Sequence, residues 1–100
     1  MTEADFEYIV QGEEVIITAV KDTSLTSVVL PETIKGYPVT GIGDSVFFKW
    51  TNLISIVIPS SIVSIGENSF SYCDNLTIIT PKGSYAERYA QEFAIPCENN

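Results

Sequence analysis

Residues 42–59 read IGDSVFFKWTNLISIVIP, and residues 65–81 repeat the same pattern as IGENSFSYCDNLTIITP. Five identical pairs share one offset of 23 residues, namely Ile42/Ile65, Gly43/Gly66, Phe47/Phe70, Asn52/Asn75 and Leu53/Leu76. Trp50 and Cys73 fall in one column, as a large and a small apolar group. A repeat of this length is typical of a solenoid, in which similar coils stack on one another.

Each copy of the pattern has the residues needed to form one coil. The apolar alternation over residues 53–58 predicts a short strand with one buried face, and Pro59 ends it because proline has no N–H to donate. Gly66 is expected to let the chain turn toward the far side of the coil. Since coils stack at a spacing of about 4.8 Å, the rings of Phe47 and Phe70 should stack inside the solenoid.

An earlier copy of the pattern is longer. Residues 25–31, LTSVVLP, match residues 53–59, LISIVIP, at an offset of 28. The extra residues lie around residues 35–39, KGYPV, where glycine and proline predict a turn. Together the copies give about two and a half coils over residues 25–83.

The beginning of the chain differs from the repeats, as the end of a solenoid must, because an open end would expose the core. Residues 6–20 alternate on both sides of Gly12 and predict a β-hairpin that caps the first coil. Its apolar face is expected to hold Phe6, Tyr8, Val10, Val15, Ile17 and Ala19.

The other end predicts a helical cap over residues 84–96. Ser84 and Glu87 have the spacing of a capping box, and Pro96 ends the helix. The apolar stripe that closes the last coil is expected to hold Tyr85, Tyr89 and Phe93, with Ala86 and Ala90 beside them.

The coil at residues 58–78, IPSSIVSIGENSFSYCDNLTI, closely resembles the leucine-rich repeats of the BspA type. That repeat has an I-P step, an S-I-G step, an A-F or S-F step and then C-x-x-L, and all four are present in this coil. The copy around Phe47 departs from the family pattern at Val46 and Trp50.

The resemblance extends over residues 6–96. Residues 31–43 look like the first repeat of the family, and residues 82–96 look like its terminal helix. The resemblance implies an α/β leucine-rich-repeat solenoid of mostly short β-strands, with both caps, in a single domain over residues 1–100. It also implies a bacterial protein-binding module, with cell-surface adhesion or host protein binding as usual roles, and it brings no catalytic residues.

The composition does not favour an enzyme or a cofactor site. The chain has no histidine, which excludes Ser-His and Cys-His nucleophilic pairs, and Cys73 is expected to be a small core residue. Residues 41–43, GIG, lack the third glycine of a dinucleotide-binding loop. Asp44 and Glu67 supply one carboxylate per coil, too few for calcium. We therefore predict a non-catalytic protein with no metal and no cofactor.

The charge distribution limits the partners. The net charge is −8, and residues 1–14 hold five acids and no base. Nucleic acid and anionic bilayers would be repelled, because both are bound through Lys and Arg, and no apolar run is long enough to predict a membrane span. The first residues lack the signal-peptide pattern. Two compartments stay open: the cell surface, which the resemblance implies, and the cytoplasm if the chain is complete.

The outward side of the strands is the candidate protein-binding surface. If the Leu and Ile positions of each strand point inward, four apolar residues point away from the core: Val29, Ile54, Val57 and Ile78. Neighbouring exposed apolar groups can mark an interface, although scattered β-branched residues are also normal on a sheet surface. Two uses of this face stay open, namely binding of another protein and self-association into a homo-oligomer.

Overall fold

The computed structural model describes all of residues 1–100. The strands, in chain order, are β1 (Phe6–Gln11), β2 (Glu14–Val20), β3 (Ser27–Val29), β4 (Thr33–Ile34), β5 (Tyr37–Ile42), β6 (Ser55–Val57), β7 (Ser64–Ile65), β8 (Thr77–Thr80) and β9 (Cys97–Asn99). The other elements are the α-helix α1 (Tyr85–Glu92) and a 3-10 helix at Glu3–Asp5.

The strands form two sheets. The parallel sheet contains β3, β6, β8 and β9 in that order. The mixed sheet has the order β1-β2-β5-β4, with β7 also pairing with β5. One passage through both sheets makes one coil, so that β3 and β5 belong to the first coil and β6 and β7 to the second. The architecture is a β-solenoid with one helix.

The parallel sheet shows that the predicted count of two and a half coils was too low. The repeats supply β3, β6 and β8, and a fourth strand, β9, follows α1 and pairs with β8. Residues 97–99, CEN, do not have the strand pattern of the repeats, so the pattern gave no sign of this strand. The solenoid has about four turns.

The two sheets are staggered along the solenoid axis. β1 and β2 extend the mixed sheet before the first coil, whereas β8 and β9 extend the parallel sheet beyond the second coil. After β8, α1 stands where the next strand of the mixed sheet would be. Each end of the solenoid is therefore stepped.

Two corners connect the mixed sheet to the next strand of the parallel sheet: the first corner (residues 43–53) and the second corner (residues 66–76). Three backbone N–H groups of the first corner donate to carbonyl oxygens of the second: Ser45 to Glu67 at 2.9 Å, Phe47 to Ser69 at 3.0 Å and Lys49 to Ser71 at 2.9 Å. The rings of Phe47 and Phe70 stack between the corners, which confirms the predicted ladder.

Gly66 has a different role from the one predicted. A Cβ atom added there would lie 2.6 Å from the carbonyl carbon of Gly43. The glycine therefore permits close contact between successive corners. The turning is done by left-handed residues in the same two columns of both corners: Ser45 (φ 58°), Lys49 (φ 60°), Asn68 (φ 59°) and Tyr72 (φ 64°).

The predicted N-terminal hairpin is present as β1 and β2. The two residues of its turn, Gly12 and Glu13, have φ of 53° and 65°, the backbone conformation that suits the twist of a two-residue hairpin. Phe6, Val15 and Ile17 are buried against the first coil.

A register shift in this hairpin changes which residues are buried. The pairing passes from Glu7–Ala19 to Tyr8–Ile17 and skips Thr18. Val20 is consequently buried while Ala19 is only partly buried. Val10, near the tip of the edge strand, is exposed. The expectation that Val10 and Ala19 lie on the buried face was therefore wrong.

The extra residues of the first coil form a second hairpin. β4 and β5 pair antiparallel across Lys35 and Gly36, whose φ values are 54° and 81°. This confirms the predicted turn, and the short β4 strand places Ile34 in the core.

The helix is shorter than predicted but begins at the predicted residue. The Ser84 side chain accepts a hydrogen bond from the Glu87 N–H at 3.1 Å. Beyond the last turn, Ala94 is left-handed with φ 56°, and the Ile95 N–H donates to the Ala90 carbonyl at 2.8 Å. These are the features of a Schellman C-terminus.

The buried face of α1 consists of the alanines. Ala86 and Ala90 are fully buried, whereas Phe93 is 57% exposed. Tyr85 and Tyr89 are half-buried. The expectation that the aromatic stripe itself closes the core was therefore wrong, since the small alanines bring the helix close to the coil and leave the rings along its flank.

Candidate protein-binding surface

The outward side of the parallel sheet carries a row of apolar side chains. The register aligns Val29, Val57 and Ile79 on three adjacent strands. Val29 is 47% exposed, and the other two are partly exposed. A neighbouring polar row is uncharged. We call the two rows together the strand face: Val29, Val57 and Ile79 with Ser27, Ser55 and Thr77.

Ile78 does not lie on this face, contrary to the prediction. It is fully buried and pairs in register with Ile56. The offset between the second and third coils is 23 at Leu76 but 22 along β8, because Thr77 stands opposite Ser55. A one-residue shift turns each side chain to the other side of a sheet, so Ile79 takes the outward position.

Ile54 and Thr80 complete the comparison with the predicted columns. Ile54 precedes β6 and is 58% exposed, as predicted. Thr80 was placed in the outward column of Val57 but is fully buried. Its hydroxyl donates to the Ile58 carbonyl at 2.8 Å, which satisfies this polar group inside the core.

The strand face has no charge over three strands. β3, β6 and β8 contain no Asp, Glu, Lys or Arg, and the first charged residue across the sheet is Glu98, which pairs with Ile79. Depletion of charge is typical of the central part of a protein interface. The electrostatics of this face therefore suit an apolar or neutral partner surface.

The free edge of β3 is covered only by the start of the chain. The Val29 N–H donates to the Met1 sulfur at 3.3 Å, and the Lys35 ammonium lies 3.6 Å from the Glu3 carboxylate. A thioether is a weak acceptor. The edge is therefore held loosely at the position where an added strand would pair.

A groove opens between the second corner and the C-terminal end of α1, and we call it the terminal groove. Its volume is about 770 Å³, and no lysine or arginine lines it. The aromatic lining consists of Phe70, Tyr72, Tyr85, Tyr89 and Phe93. The carboxylates of the lining are Glu67, Asp74 and Glu92.

Tyr89 lies at the centre of this aromatic lining. Its ring is 5.9 Å from that of Phe70 and 4.5 Å from that of Phe93. Burial raises the pKa of the Tyr89 hydroxyl, and the neighbouring acidic groups of Tyr85, Cys73 and Glu92 raise it further. The hydroxyl therefore stays protonated and available as a hydrogen-bond donor.

The terminal groove was not predicted from the sequence. The column comparison placed Phe70 in the core and the aromatic stripe of α1 over it. The signal that could have revealed the groove is that residues 66–76 are the last copy of the corner pattern. Its outer side therefore has no following corner to cover it.

The cysteines do not form a catalytic group. Burial raises the pKa of Cys73, and its thiol donates to the Phe47 carbonyl at 2.9 Å. Burial also raises the pKa of Cys97, and nearby Glu87 and Glu98 add to this. The two thiols are not joined in a disulfide. Both therefore stay protonated near neutral pH, the unreactive form.

Two further site classes were searched for in the structure. No group of three or more Cys, Asp or Glu side chains is arranged to hold a metal ion. The structure also contains no helix with the length and apolar character needed to cross a membrane.

The geometry of stacked coils agrees with a comparison of the sequence with protein families. The family model described as the BspA type leucine-rich repeat region, with six copies, matches residues 14–97. The chain belongs to this family. The BspA-type match begins in β2 and ends in β9, so it includes α1 as well as the repeats. Leucine-rich repeats of this family are typically non-catalytic.

Solved structures of bacterial leucine-rich-repeat proteins have the same fold. The leucine-rich repeat protein TpLRR of T. pallidum is 29% identical, with a TM-score of 0.73 over 80% of this chain and 38% of its own. A leucine-rich cell surface protein of Faecalibacterium prausnitzii is 25% identical, with a TM-score of 0.73 over 84% and 24%. A leucine-rich repeat protein of Bacteroides capillosus is 26% identical, with a TM-score of 0.67 over 80% and 63%.

The chain spans only part of these solved relatives, from 24% to 63% of their lengths. No curated protein matches the chain.

Proposed function

We propose that this BspA-type repeat protein is a non-catalytic module that binds another protein through the strand face. The observation that supports the proposal is the row Val29, Val57 and Ile79, which crosses three adjacent strands without a charged neighbour. Covering this row removes apolar surface from water, which is favourable, and no ionised group has to be desolvated.

The test compares one aspartate on the strand face with one outside it. Val29 is 47% exposed on the face, and Val63 is 61% exposed before β7, away from the parallel sheet. We expect Val29→Asp to abolish capture of the protein that the wild type retains from an extract of the source cells. Val63→Asp should retain it. Thermal unfolding of both variants checks that the fold is intact.

The proposal is wrong if both aspartate variants retain the same proteins as the wild type. It is also wrong if the wild type retains none that quantitative mass spectrometry separates from a blank matrix.

Binding of another protein is favoured over self-association by the stepped ends. Stacking the first corner of one copy on the second corner of another would bring the β1–β2 hairpin into the space held by the mixed sheet. We expect light scattering to give the monomer mass of 11.0 kDa. A dimer mass that Val29→Asp abolishes would favour self-association instead.

We also infer that the β1–β2 hairpin and α1 cap the solenoid, so that residues 1–100 form one domain. The support is that both bury apolar side chains against the repeats, through Phe6 and Ile17 at one end and Ala86 and Ala90 at the other. One cooperative unfolding transition is expected, and removal of residues 84–100 should abolish it.

For the compartment, we propose the bacterial cell surface. The support is the F. prausnitzii relative, which is described as a cell surface protein. Protease added to intact source cells should remove the protein while a cytoplasmic marker survives. Protection equal to that of the marker would contradict the proposal.

A further inference from the structure

The second corner interrupts a ladder of backbone hydrogen bonds. The donors of the first corner are the N–H groups of Ser45, Phe47 and Lys49, each paired with the second corner. The equivalent residues one repeat later are Asn68, Phe70 and Tyr72. Their N–H groups donate to no acceptor in the chain, and all three residues line the terminal groove.

Unpaired N–H groups at alternate residues are the donors that an extended backbone can use. In the solenoid itself, the carbonyl oxygens of residues 67, 69 and 71 accept from the first corner at 2.9–3.0 Å. A segment that supplies carbonyl oxygens at alternate residues would continue this ladder. Pairing buried backbone groups in this way is the general basis of strand addition.

The carboxylates of the groove have no partner within the chain. The side chains of Glu67, Asp74 and Glu92 accept no hydrogen bond, and the one ion pair of the protein joins Lys35 to Glu3. Other acids are engaged: the Asp44 side chain, for example, accepts from the Glu67 N–H at 2.8 Å. The rim of the groove therefore carries unneutralised negative charge.

The exposed rings of the groove offer a second contact for a cation. The chain already shows this contact, because the Lys49 ammonium lies 5.7 Å from the centre of the Tyr72 ring. Phe93 is packed against Tyr89 and leaves most of its ring free. A cation over an aromatic face is attracted by the ring quadrupole.

We propose that the terminal groove binds an extended, basic peptide segment of a partner protein. Backbone carbonyls of the segment accept from the N–H groups of Asn68, Phe70 and Tyr72. A lysine or arginine side chain of the segment lies among the aromatic rings and the carboxylates. This groove is separate from the strand face, so the proposal does not depend on the function proposed for that face.

A second copy of the chain fits the groove less well than a basic peptide. The stepped ends prevent corner-to-corner stacking, and the N-terminal residues 1–14 carry five acids and no base. Those residues would meet the carboxylates of the groove with like charge. A short basic segment has neither obstacle.

The experiment is a titration of the ¹⁵N-labelled full chain with a short capped peptide that alternates lysine and alanine. We expect the amide protons of Asn68, Phe70 and Tyr72 to shift downfield, as they do when a hydrogen bond forms. A peptide that alternates glutamate and alanine should produce no such shift.

Matched variants separate the groove from general attraction to an acidic protein. Asp74→Asn with Glu92→Gln should weaken binding of the lysine peptide by about fivefold, the range expected for two exposed charge pairs. Glu7→Gln with Glu14→Gln changes the net charge equally at the other end and should leave the affinity within about twofold. Phe93→Ala should weaken binding about threefold, and Tyr37→Ala, an exposed ring outside the groove, should not.

The proposal is overturned if the two acid pairs weaken binding equally, or if the shifts spread over the N-terminal acids without favouring the groove. Concentration-dependent dimers that show the same three amide shifts without peptide would identify a second copy as the occupant and would also overturn it. Val29→Asp should leave peptide binding unchanged, so failure here and failure of the strand face can be distinguished.

Discussion

The phenyl rings of Phe47 and Phe70 are stacked with their centroids 5.1 Å apart and their planes 3° from parallel. Phe47 also stacks on Trp50 at 5.7 Å. The ring of Phe47 is therefore covered by aromatic neighbours within its own corner and in the next. The relative position of the two corners depends on this contact and on the backbone ladder beside it.

Removal of the Phe47 ring should be costly. We expect Phe47→Ala to lower the free energy of unfolding by about 3–5 kcal/mol, since it leaves a cavity in a fully packed site. The adjacent Phe48 is exposed, and Phe48→Ala should cost less than about 1 kcal/mol. Urea denaturation of both variants measures the difference. Equal losses would show that the stacked rings are not central to stability.

The two glycines of one repeat column should differ in their tolerance of a methyl group. A Cβ atom at Gly66 would lie 2.6 Å from the Gly43 carbonyl carbon, whereas one at Gly43 would lie 3.4 Å from the Ile17 carbonyl oxygen. We expect Gly66→Ala to destabilise by about 1–3 kcal/mol through overpacking and Gly43→Ala by clearly less. Thermal unfolding provides the comparison. The reverse order would contradict the close contact described for Gly66.

Glycine should stabilise the end of α1. Ala94 has φ 56°, a conformation that costs an L-residue about 1–2 kcal/mol, while glycine loses about 0.5–1 kcal/mol of chain entropy. Ala94→Gly should therefore raise the free energy of unfolding by about 0.5–1 kcal/mol. Ala90→Gly, inside the same helix, should lower it by at least about 1 kcal/mol. Two changes of the same sign in chemical denaturation would disprove the Schellman geometry.

Glu87 should contribute to acid sensitivity. Its carboxylate accepts from the Gly83 N–H at 2.9 Å and from the Asn99 amide at 2.7 Å, and these bonds lower the pKa of Glu87 from its ordinary value of 4.5. Because the pKa is lower in the folded state, the stabilisation is present above pH 4.5 and is lost as the pH falls through the folded-state pKa. Glu87→Gln should therefore flatten the fall in Tm below pH 4.5.

The control for Glu87 is Glu92→Gln, because the Glu92 side chain makes no hydrogen bond within the chain. This variant should keep the wild-type slope of Tm against pH. A carboxyl ¹³C titration of Glu87 with its midpoint at or above 4.5 would contradict the prediction.

The coil pattern could be predicted because its determinants are local and repeated. Matching columns placed Phe47 over Phe70, and the Lys35-Gly36 pair marked a tight turn. Val29, Val57 and Ile54 were placed correctly on the outside of the coil because the alternation in β3 and around β6 is regular. These features depend on neighbouring residues and on one constant offset.

The errors arose where that offset changes or where tertiary contacts decide. Thr77 closes the third coil with one residue fewer, which moved Ile78 inward and Ile79 outward. The register shift at Thr18 did the same in the hairpin. β9 has no apolar alternation, and it is a strand because it pairs with β8. The terminal groove arises from the absence of a further corner, which no column of residues reports.

The short third coil bears on how this solenoid could be lengthened. The inward residues of β6 and β8 keep one phase when counted from Pro59 to Pro81, an offset of 22. A duplicated cassette of residues 60–81 inserted after Pro81 would therefore continue the ladder in register. A cassette cut at the more obvious period of 23 would reverse the inside and outside of every strand that follows. The prolines, rather than the conserved-looking leucines, are the joints at which an engineer should cut.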